Sequence, residues 1–165
     1  RIMDTPLKNN NGGIKATSCN FTNITFDSNT KNNTDYAVHN GGALITSGNS
    51  KIINSTFNKN SITTNMTKIG VGGALYNTGT LTIINSKFNA NIATKGGAVY
   101  NKGIINSTNT NYTNNKATEA GAIYNAKTYN ITNATLTQNA AKNNGGSIYN
   151  TATMIVKNSR LYKMV

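Results

Sequence analysis

The chain is poor in the residues that build disulfide frameworks, metal sites and most active sites. Its 165 residues include one cysteine, one proline, no tryptophan and four acidic side chains. A single thiol, Cys19, excludes an internal disulfide framework and a cysteine-based metal site. We expect Cys19 to lie inward as a small apolar residue, with a reactive or intermolecular thiol as the alternative. No apolar run approaches the ~20 residues of a membrane-spanning helix, so no transmembrane segment is predicted.

The shortage of carboxylates argues against catalysis. Asp4, Asp27, Asp35 and Glu119 are the whole supply, and no two of them are spaced to share a site. Hydrolysis of a polysaccharide by paired carboxylates needs such a pair, and calcium-dependent elimination needs several acidic ligands. We therefore expect a protein that is not an enzyme and that holds no metal or cofactor.

Asparagine, threonine and basic residues dominate the composition. There are 32 asparagines and 25 threonines, which are poor helix formers, and the formal net charge is +12. The lysines are scattered along the chain, which suits solubility and long-range attraction to anionic surfaces. They form no basic cluster interleaved with aromatic residues, so we expect no nucleic-acid partner.

A repeated pair of motifs organises the chain. Gly-Gly-Ala followed by an aliphatic residue, or a close variant, begins at each of these positions: Gly41, Gly72, Gly96, Ala120 and Gly145. Sixteen residues after each start stands an apolar anchor: Phe57, Phe88, Tyr112, Leu136 and Leu161. Three residues after the first four anchors stands an asparagine: Asn60, Asn91, Asn115 and Asn139. Phe26 and Asn29 belong to an earlier copy.

The spacing of the copies predicts a solenoid. The distance from an anchor to the next motif start is 15, 15, 8, 8 and 9 residues, so two copies carry about seven extra residues at one corner. A basic copy of about 24 residues fits three short strands and their turns. We predict one all-β domain over residues 1–165, a right-handed parallel β-helix of about six rungs with two corner insertions.

The aliphatic residues of the motif form one column of the repeat, and a tyrosine column runs beside it. In the last four copies the residue after the aliphatic one is Tyr76, Tyr100, Tyr124 or Tyr149. Neighbouring residues of a strand point to opposite faces, so the tyrosines point outward if the aliphatic residues point inward. There they either cover a polar sheet or form an aromatic strip that stacks on sugar rings, flanked by Asn and Lys donors. The inward phase is the remaining alternative.

The two corner insertions, residues 30–40 and 61–71, are the other candidate recognition elements. They are predicted to emerge side by side, and the first contains Tyr36 and the only histidine, His39. An exposed loop position for His39 is favoured over a catalytic or ligand role. Candidate glycan acceptors in Asn-x-Thr triplets are Asn20, Asn54, Asn65 and Asn130.

The repeats resemble two families of surface proteins. Gly-Gly-Ala-Leu/Val/Ile with Phe-x-x-Asn is similar to the paired motifs of the chlamydial polymorphic outer membrane proteins. The Asn- and Thr-rich forms Gly-Gly-Ala-Leu-Tyr-Asn and Leu-Thr-Ile-Ile-Asn-Ser resemble the adhesin-like surface proteins of methanogenic archaea. The resemblance covers about residues 12–162, and it implies a β-helix displayed on a cell surface and used in adhesion.

The expected function is therefore a non-enzymatic, extracellular adhesin-like β-helix. Its expected partners are glycans or proteins on host or neighbouring cells, bound weakly and repeatedly. An alternative is a structural filament subunit that associates head to tail, because open rung ends offer unpaired backbone groups. The same ends are also explained by a chain cut from a longer solenoid. A polysaccharide-binding or polysaccharide-cleaving β-helix is the least favoured class.

Overall fold

A computed structural model describes residues 2–3, 6–8, 13–32, 39–63 and 69–162. Within these ranges the regular secondary structure consists of β-strands alone. Each strand pairs in parallel with its equivalent one coil away, and three long sheets run along the molecule. The predicted all-β parallel β-helix is confirmed.

The strands of the described residues are numbered in chain order. A first partial coil contains β1 (Ile2–Met3) and β2 (Pro6–Lys8). The second contains β3 (Ile14–Thr17), β4 (Asn20–Thr22), β5 (Thr25–Asp27), β6 (Thr30–Asn32) and β7 (His39–Asn40). The third contains β8 (Leu44–Ser47), β9 (Asn49–Ile53), β10 (Thr56–Asn58), β11 (Ser61–Thr63) and β12 (Gly70–Val71).

The later coils have shorter corners. The fourth contains β13 (Leu75–Asn77), β14 (Thr80–Ile84) and β15 (Lys87–Asn89). The fifth contains β16 (Val99–Asn101), β17 (Ile104–Thr108), β18 (Asn111–Thr113) and β19 (Lys116–Glu119). The sixth contains β20 (Ile123–Asn125), β21 (Thr128–Thr132), β22 (Thr135–Thr137) and β23 (Ala140–Asn144), and the last contains β24 (Ile148–Asn150), β25 (Thr153–Lys157) and β26 (Arg160–Tyr162).

Three sheets form the walls of the β-helix. Sheet I consists of β3, β8, β13, β16, β20 and β24. Sheet II consists of β1, β4, β9, β14, β17, β21 and β25, and sheet III of β2, β5, β10, β15, β18, β22 and β26. Short parallel pairs at the corner between sheets III and I are β6 with β11, β7 with β12, and β19 with β23.

Stacked side chains fill the space between the three sheets. Phe26, Phe57, Phe88 and Tyr112 stack in succession, with ring centroids 4.5, 4.6 and 5.1 Å apart and planes within 9°. The aliphatic column of sheet I is fully buried through Leu44, Leu75, Val99 and Ile123. The last anchor, Leu161, pairs in register with the buried Leu136 and is 39% exposed, because no described coil covers it.

The two glycines of each repeat serve two different purposes. Gly96 has a φ of 62°, the left-handed region that side chains rarely adopt. Gly97 sits against the next coil, where a Cβ atom would overlap the carbonyl oxygen of Gly121.

At the corner between sheets II and III, one column of the repeat consists of asparagine alone, for a related reason. Its six members have φ between 49° and 55°, and asparagine tolerates that region best after glycine: Asn23, Asn54, Asn85, Asn109, Asn133 and Asn158.

A buried asparagine ladder follows the aromatic anchors. Its members are at most 2% exposed: Asn29, Asn60, Asn91, Asn115 and Asn139. In each of the first four, the side-chain amide donates to the Oδ1 of the next, at 2.9–3.0 Å. All five also donate to the carbonyl of the anchor one coil before. A second ladder joins Asn77, Asn101, Asn125 and Asn150. Both ladders satisfy buried polar groups at the corners.

The first partial coil was not predicted. Leu7 pairs in register with Phe26, and its carbonyl accepts a 2.9 Å hydrogen bond from Asn29 Nδ2. A signal for it exists in the sequence, because Leu7 and Asn10 repeat the spacing of Phe26 and Asn29. The sixteen-residue offset places its glycine motif before residue 1, so the anchor spacing is the signal that the sequence contains.

Candidate functional site

Four tyrosines form an outward-facing column on sheet I. Tyr76, Tyr100, Tyr124 and Tyr149 pair in register on successive strands, and we call this column the tyrosine ladder. Their chain neighbours on either side are the inward aliphatic residues and the second asparagine ladder. The tyrosine side chains therefore point outward rather than into the core. Ile45 and then Lys15 continue the column toward the first coil.

The tyrosine rings stack on one another rather than lying flat on the sheet. Centroids of successive rings are 5.7, 4.7 and 5.1 Å apart, with planes inclined at 17°, 9° and 35°. The faces of the two middle rings, Tyr100 and Tyr124, are thus largely covered by neighbouring rings. What the ladder offers a ligand is a row of ring edges and phenol hydroxyls, not a continuous flat face.

The ladder hydroxyls are available as hydrogen-bond donors. None of the four makes a hydrogen bond to another residue in the described part of the chain, and none is a buried atom without a partner there. Partial burial raises the pKa of Tyr76 and Tyr100 above their ordinary value. These two groups therefore stay protonated at neutral pH and can donate to an acceptor on a ligand.

A cavity of about 250 Å³ lies over the first two rings of the ladder. Its lining residues are Asn40, Val71, Tyr76, Tyr100 and Lys102. Asn40 and Val71 are paired on β7 and β12, where the two corner insertions return to the body of the β-helix. Lys102 stands in the turn after β16, at the other end of the strands of sheet I. The cavity thus joins the tyrosine ladder to the insertions.

The described ends of the two insertions lie side by side, as their common repeat position predicted. Ser61 pairs with Thr30 where they begin, and Gly70 pairs with His39 where they end. Of the candidate residues placed there, Tyr36 lies outside the described residues. For His39 the described feature is its backbone position on β7, directly before the cavity residue Asn40.

Lysines border the ladder on both sides. Lys95 Nζ lies 2.9 Å from Glu119 Oε2 and 5.3 Å from the centroid of the Tyr124 ring. The hydrogen bond to Glu119 raises the pKa of Lys95, so the Lys95 ammonium stays protonated at neutral pH. On the other border Lys102 and Lys127 are exposed in the turns between sheets I and II. Because Glu119 is paired with Lys95, the other described charges bordering the ladder, those of Lys102 and Lys127, are cationic.

The described carboxylates are held apart by the fold. Asp27 lies on sheet III and accepts hydrogen bonds from Asn58 Nδ2 at 2.8 Å and Ser28 Oγ at 3.3 Å. Glu119 is at the corner three coils away. Among the residues that the structure describes, no group of three or more His, Cys, Asp and Glu side chains could hold a metal ion. Cys19 is partly buried and packs against the core, as expected.

The candidate glycan acceptors differ in accessibility. Asn20 and Asn54 are exposed, on β4 and in the turn after β9. Asn130 is half-buried, and its Nδ2, the atom a glycan would modify, donates to Asn106 Oδ1 at 2.9 Å. The Oδ1 of Asn130 is buried with no hydrogen-bond partner among the described residues. Asn65 lies outside the described residues.

Sequence reasoning missed three residues that complete the cavity. Asn40 and Val71 are ordinary residues whose role follows from how the insertions return to the sheet. Lys102 had a signal, since it lies two residues after Tyr100, but it was grouped with the scattered lysines.

Comparison of the chain with protein-family models, with curated proteins and with solved structures finds no match. Within the residues that the structure describes there is no helix of the length and apolar character needed to cross a membrane. The resemblance to adhesin-like repeats stays a hypothesis, and the geometry of sheet I carries the functional argument.

Proposed function

We propose that the chain is a non-enzymatic, adhesin-like β-helix of the cell surface that binds glycans or proteins of neighbouring or host cells through sheet I. The observation that carries the proposal is the tyrosine ladder with the cavity at its insertion end. Tyrosines that served the core would point inward, whereas these four point outward, where Tyr76 is 9% exposed and Tyr100, Tyr124 and Tyr149 are half-buried. Aromatic residues with a polar group are enriched at recognition surfaces.

The scaffold suits display. Every strand of sheet I between β3 and β24 is paired on both sides, so the ladder residues are held at one fixed spacing. Binding groups repeated at a fixed spacing contribute avidity even when each contact is weak. The positive charge supports attraction to anionic cell surfaces over a distance of about one Debye length.

A non-enzymatic function is supported by the state of the described carboxylates. Catalysis by paired carboxylates requires two acids within about 5–10 Å of each other. Asp27 lies on sheet III and Glu119 at the corner between sheets III and I, three coils away, and each is already bound by a neighbouring side chain. Exposure of Asn20 and Asn54 in glycan-acceptor triplets agrees with an extracellular location.

The test is binding of the purified chain to an array of neutral and anionic surface glycans and to intact cells. Replacing Tyr100 and Tyr124 by Ile, the residue that Ile45 already provides in the same column, should abolish retention of the chain on the glycan array and on cells without unfolding the sheet. Tyr162→Thr is the matched control, because Tyr162 is exposed on sheet III where its neighbour is Thr137. Undiminished retention of the double variant would contradict the proposal.

A second candidate function is end-to-end assembly into an extracellular filament. It draws on Ile155, Val156 and Leu161, which are 39–46% exposed on the last coil and would be covered by a second copy. Sedimentation and electron microscopy over a range of concentrations test it. Fibres one β-helix wide support assembly, and monodisperse monomers at every concentration exclude it.

A further inference from the structure

We propose that the cavity over Tyr76 and Tyr100 binds a carboxylate-bearing sugar unit of an extended anionic glycan. The inference rests on the proposed function of sheet I and specifies the chemical class of its ligand. It starts from the identity of the five lining residues, which combine one cation, one amide, two phenols and one aliphatic side chain.

The charge of the lining selects an anion. Among the lining residues that the structure describes, Lys102 is the only charged one, and none of them carries a carboxylate. Glu119, the described acid beside the ladder, is held by Lys95 at 2.9 Å. A neutral ligand would leave the Lys102 ammonium with water alone, whereas a carboxylate gains a charge-assisted hydrogen bond.

The remaining lining residues fit a sugar ring. A pyranose has C–H groups on its faces and hydroxyls around its rim. Val71 and the edges of the Tyr76 and Tyr100 rings can contact the C–H groups, while the phenols and the Asn40 amide can hydrogen-bond the rim. The ladder then continues for two more coils with one hydroxyl at each, beside Lys127. That continuation suits an extended glycan rather than a single monosaccharide.

An acidic peptide fits the same surface less well. Extended peptides are commonly recognised by main-chain hydrogen bonds to the open edge of a sheet. The strands beneath the cavity, β13 and β16, are interior strands whose neighbours are β8 and β20. Their backbone groups are used within sheet I, so recognition must come from side chains, as in glycan binding.

The test is titration calorimetry of the full chain with three probes: a galacturonic acid tetrasaccharide, its methyl ester and a glutamate tetrapeptide. We expect the acidic tetrasaccharide to bind and its neutral ester to bind at least about threefold more weakly, the scale of one partly exposed ion pair. Added salt should weaken the acidic probe and leave the ester unaffected. A sulfated tetrasaccharide then distinguishes a carboxylate preference from a general preference for anionic sugars.

Two variants place the interaction. Lys102→Thr installs the residue that Thr78 and Thr151 provide in equivalent turns, and we expect it to weaken the acidic tetrasaccharide about three- to tenfold. Lys87→Thr is the matched control, because it removes the same charge from sheet III, where the paired residue is Thr56, and it should leave binding unchanged. Tyr100→Phe removes one hydroxyl and should weaken both sugar probes.

Each contrary result has a distinct meaning. Equal losses in Lys102→Thr and Lys87→Thr would reduce the effect to general charge attraction and overturn the inference. Equal affinity for acid and ester would reject the anionic class but leave tyrosine-dependent glycan binding, and so the proposed function, in place. Tighter binding of the glutamate peptide would assign the cavity to acidic proteins. If no probe binds but the chain still binds cells, the inference is wrong and the proposed function stands. If the chain binds neither the probes nor cells, the inference and the proposed function are both wrong.

Discussion

The side-chain amide of Asn91 donates to Oδ1 of Asn115, 2.9 Å away in the next coil, and the backbone N–H of Asn91 donates to the same oxygen at 3.0 Å. Both residues are fully buried. One amide oxygen therefore satisfies two buried donors across a coil boundary. The ladder joins consecutive coils at a corner where the backbone N–H of Asn91 takes a side-chain acceptor, whereas those of Ala90 and Ile92 donate to main-chain carbonyls of adjacent coils.

Asn115→Ala should destabilise the chain on the order of 3 kcal/mol or more, since unsatisfied buried polar groups cost about 1–3 kcal/mol each. The substitution leaves the backbone N–H of Asn91 without an acceptor and removes the donor to the Phe88 carbonyl. Urea unfolding measures the loss. Asn109→Gly is the control. It removes an exposed amide from the asparagine column between sheets II and III and introduces a residue suited to the φ of 53° there, so it should cost less than about 1 kcal/mol. Equal effects in the two variants would contradict the role of the buried ladder.

Phe88→Ala should cost about 3–5 kcal/mol through loss of burial and creation of a cavity. The Phe88 ring lies between Phe57 and Tyr112, with centroids 4.6 and 5.1 Å away, and is fully buried. The same unfolding measurement applies, with Lys87→Thr as the exposed neighbour expected to change stability by less than about 0.5 kcal/mol. Unchanged stability of Phe88→Ala would mean that this ring is not part of the core.

The repeat made most of the fold predictable, because stacking places chemically equivalent residues on top of one another. The anchors Phe57, Phe88 and Tyr112 have the same offset from their glycine motifs and occupy one buried stack. The insertions were placed correctly for the same reason, since both interrupt one repeat position. The first partial coil was missed because the sixteen-residue offset places its glycine motif before residue 1, and the spacing of Leu7 and Asn10 alone did not mark it.

The candidate site was only partly predictable. Alternation along β16 fixes the outward direction of Tyr100, and the column of tyrosines follows from the repeat. Ring orientation does not follow from alternation, and the rings cover one another's faces. The cavity depends on the path by which the insertions bring Asn40 and Val71 back to the sheet, and no periodic signal encodes that path. Likewise, the triplet at Asn130 does not reveal that its amide is bonded to Asn106.

Ala120→Gly should stabilise the chain by about 1 kcal/mol, because left-handed backbone costs an L-residue about 1–2 kcal/mol. Ala120 has a φ of 59°, at the position where other coils have glycines with φ of 60–68°: Gly41, Gly72, Gly96 and Gly145. The neighbouring Ala122→Gly is the opposite control. Ala122 is fully buried and does not have a positive φ, so the same substitution there should destabilise by about 1 kcal/mol. Thermal or urea unfolding of the two variants should move in opposite directions, and a shared direction would argue against backbone strain at Ala120.

Two buried phenols should make the chain sensitive to alkaline pH. The hydroxyls of Tyr112 and Tyr129 are 2.7 Å apart in the core, and Ser107 Oγ lies 3.2 Å from that of Tyr112. Burial raises the pKa of Tyr112 to about 12 and that of Tyr129 well above its ordinary value of about 10. Between about pH 10 and pH 12 the unfolded chain releases these protons while the folded chain keeps them. The unfolded state then binds fewer protons, so stability falls as pH rises, and the contribution is fully present below about pH 10.

The expected slope in that range is up to about 1.4 kcal/mol of unfolding free energy per pH unit for each tyrosine. A double variant, Tyr112→Phe with Tyr129→Phe, should lose this slope while keeping the contribution of lysines and exposed tyrosines, which is common to both proteins. At pH 7 the double variant leaves neither phenol unpaired, but the buried Ser107 Oγ loses its partner, so we expect a cost of about 1–3 kcal/mol that does not depend on pH. Urea unfolding at pH 9 and pH 11, together with ultraviolet titration of phenolate in the folded chain, measures the effect. Equal pH dependence of the two proteins, or ionisation of all tyrosines in the folded chain near pH 10, would show that this pair does not govern alkaline stability.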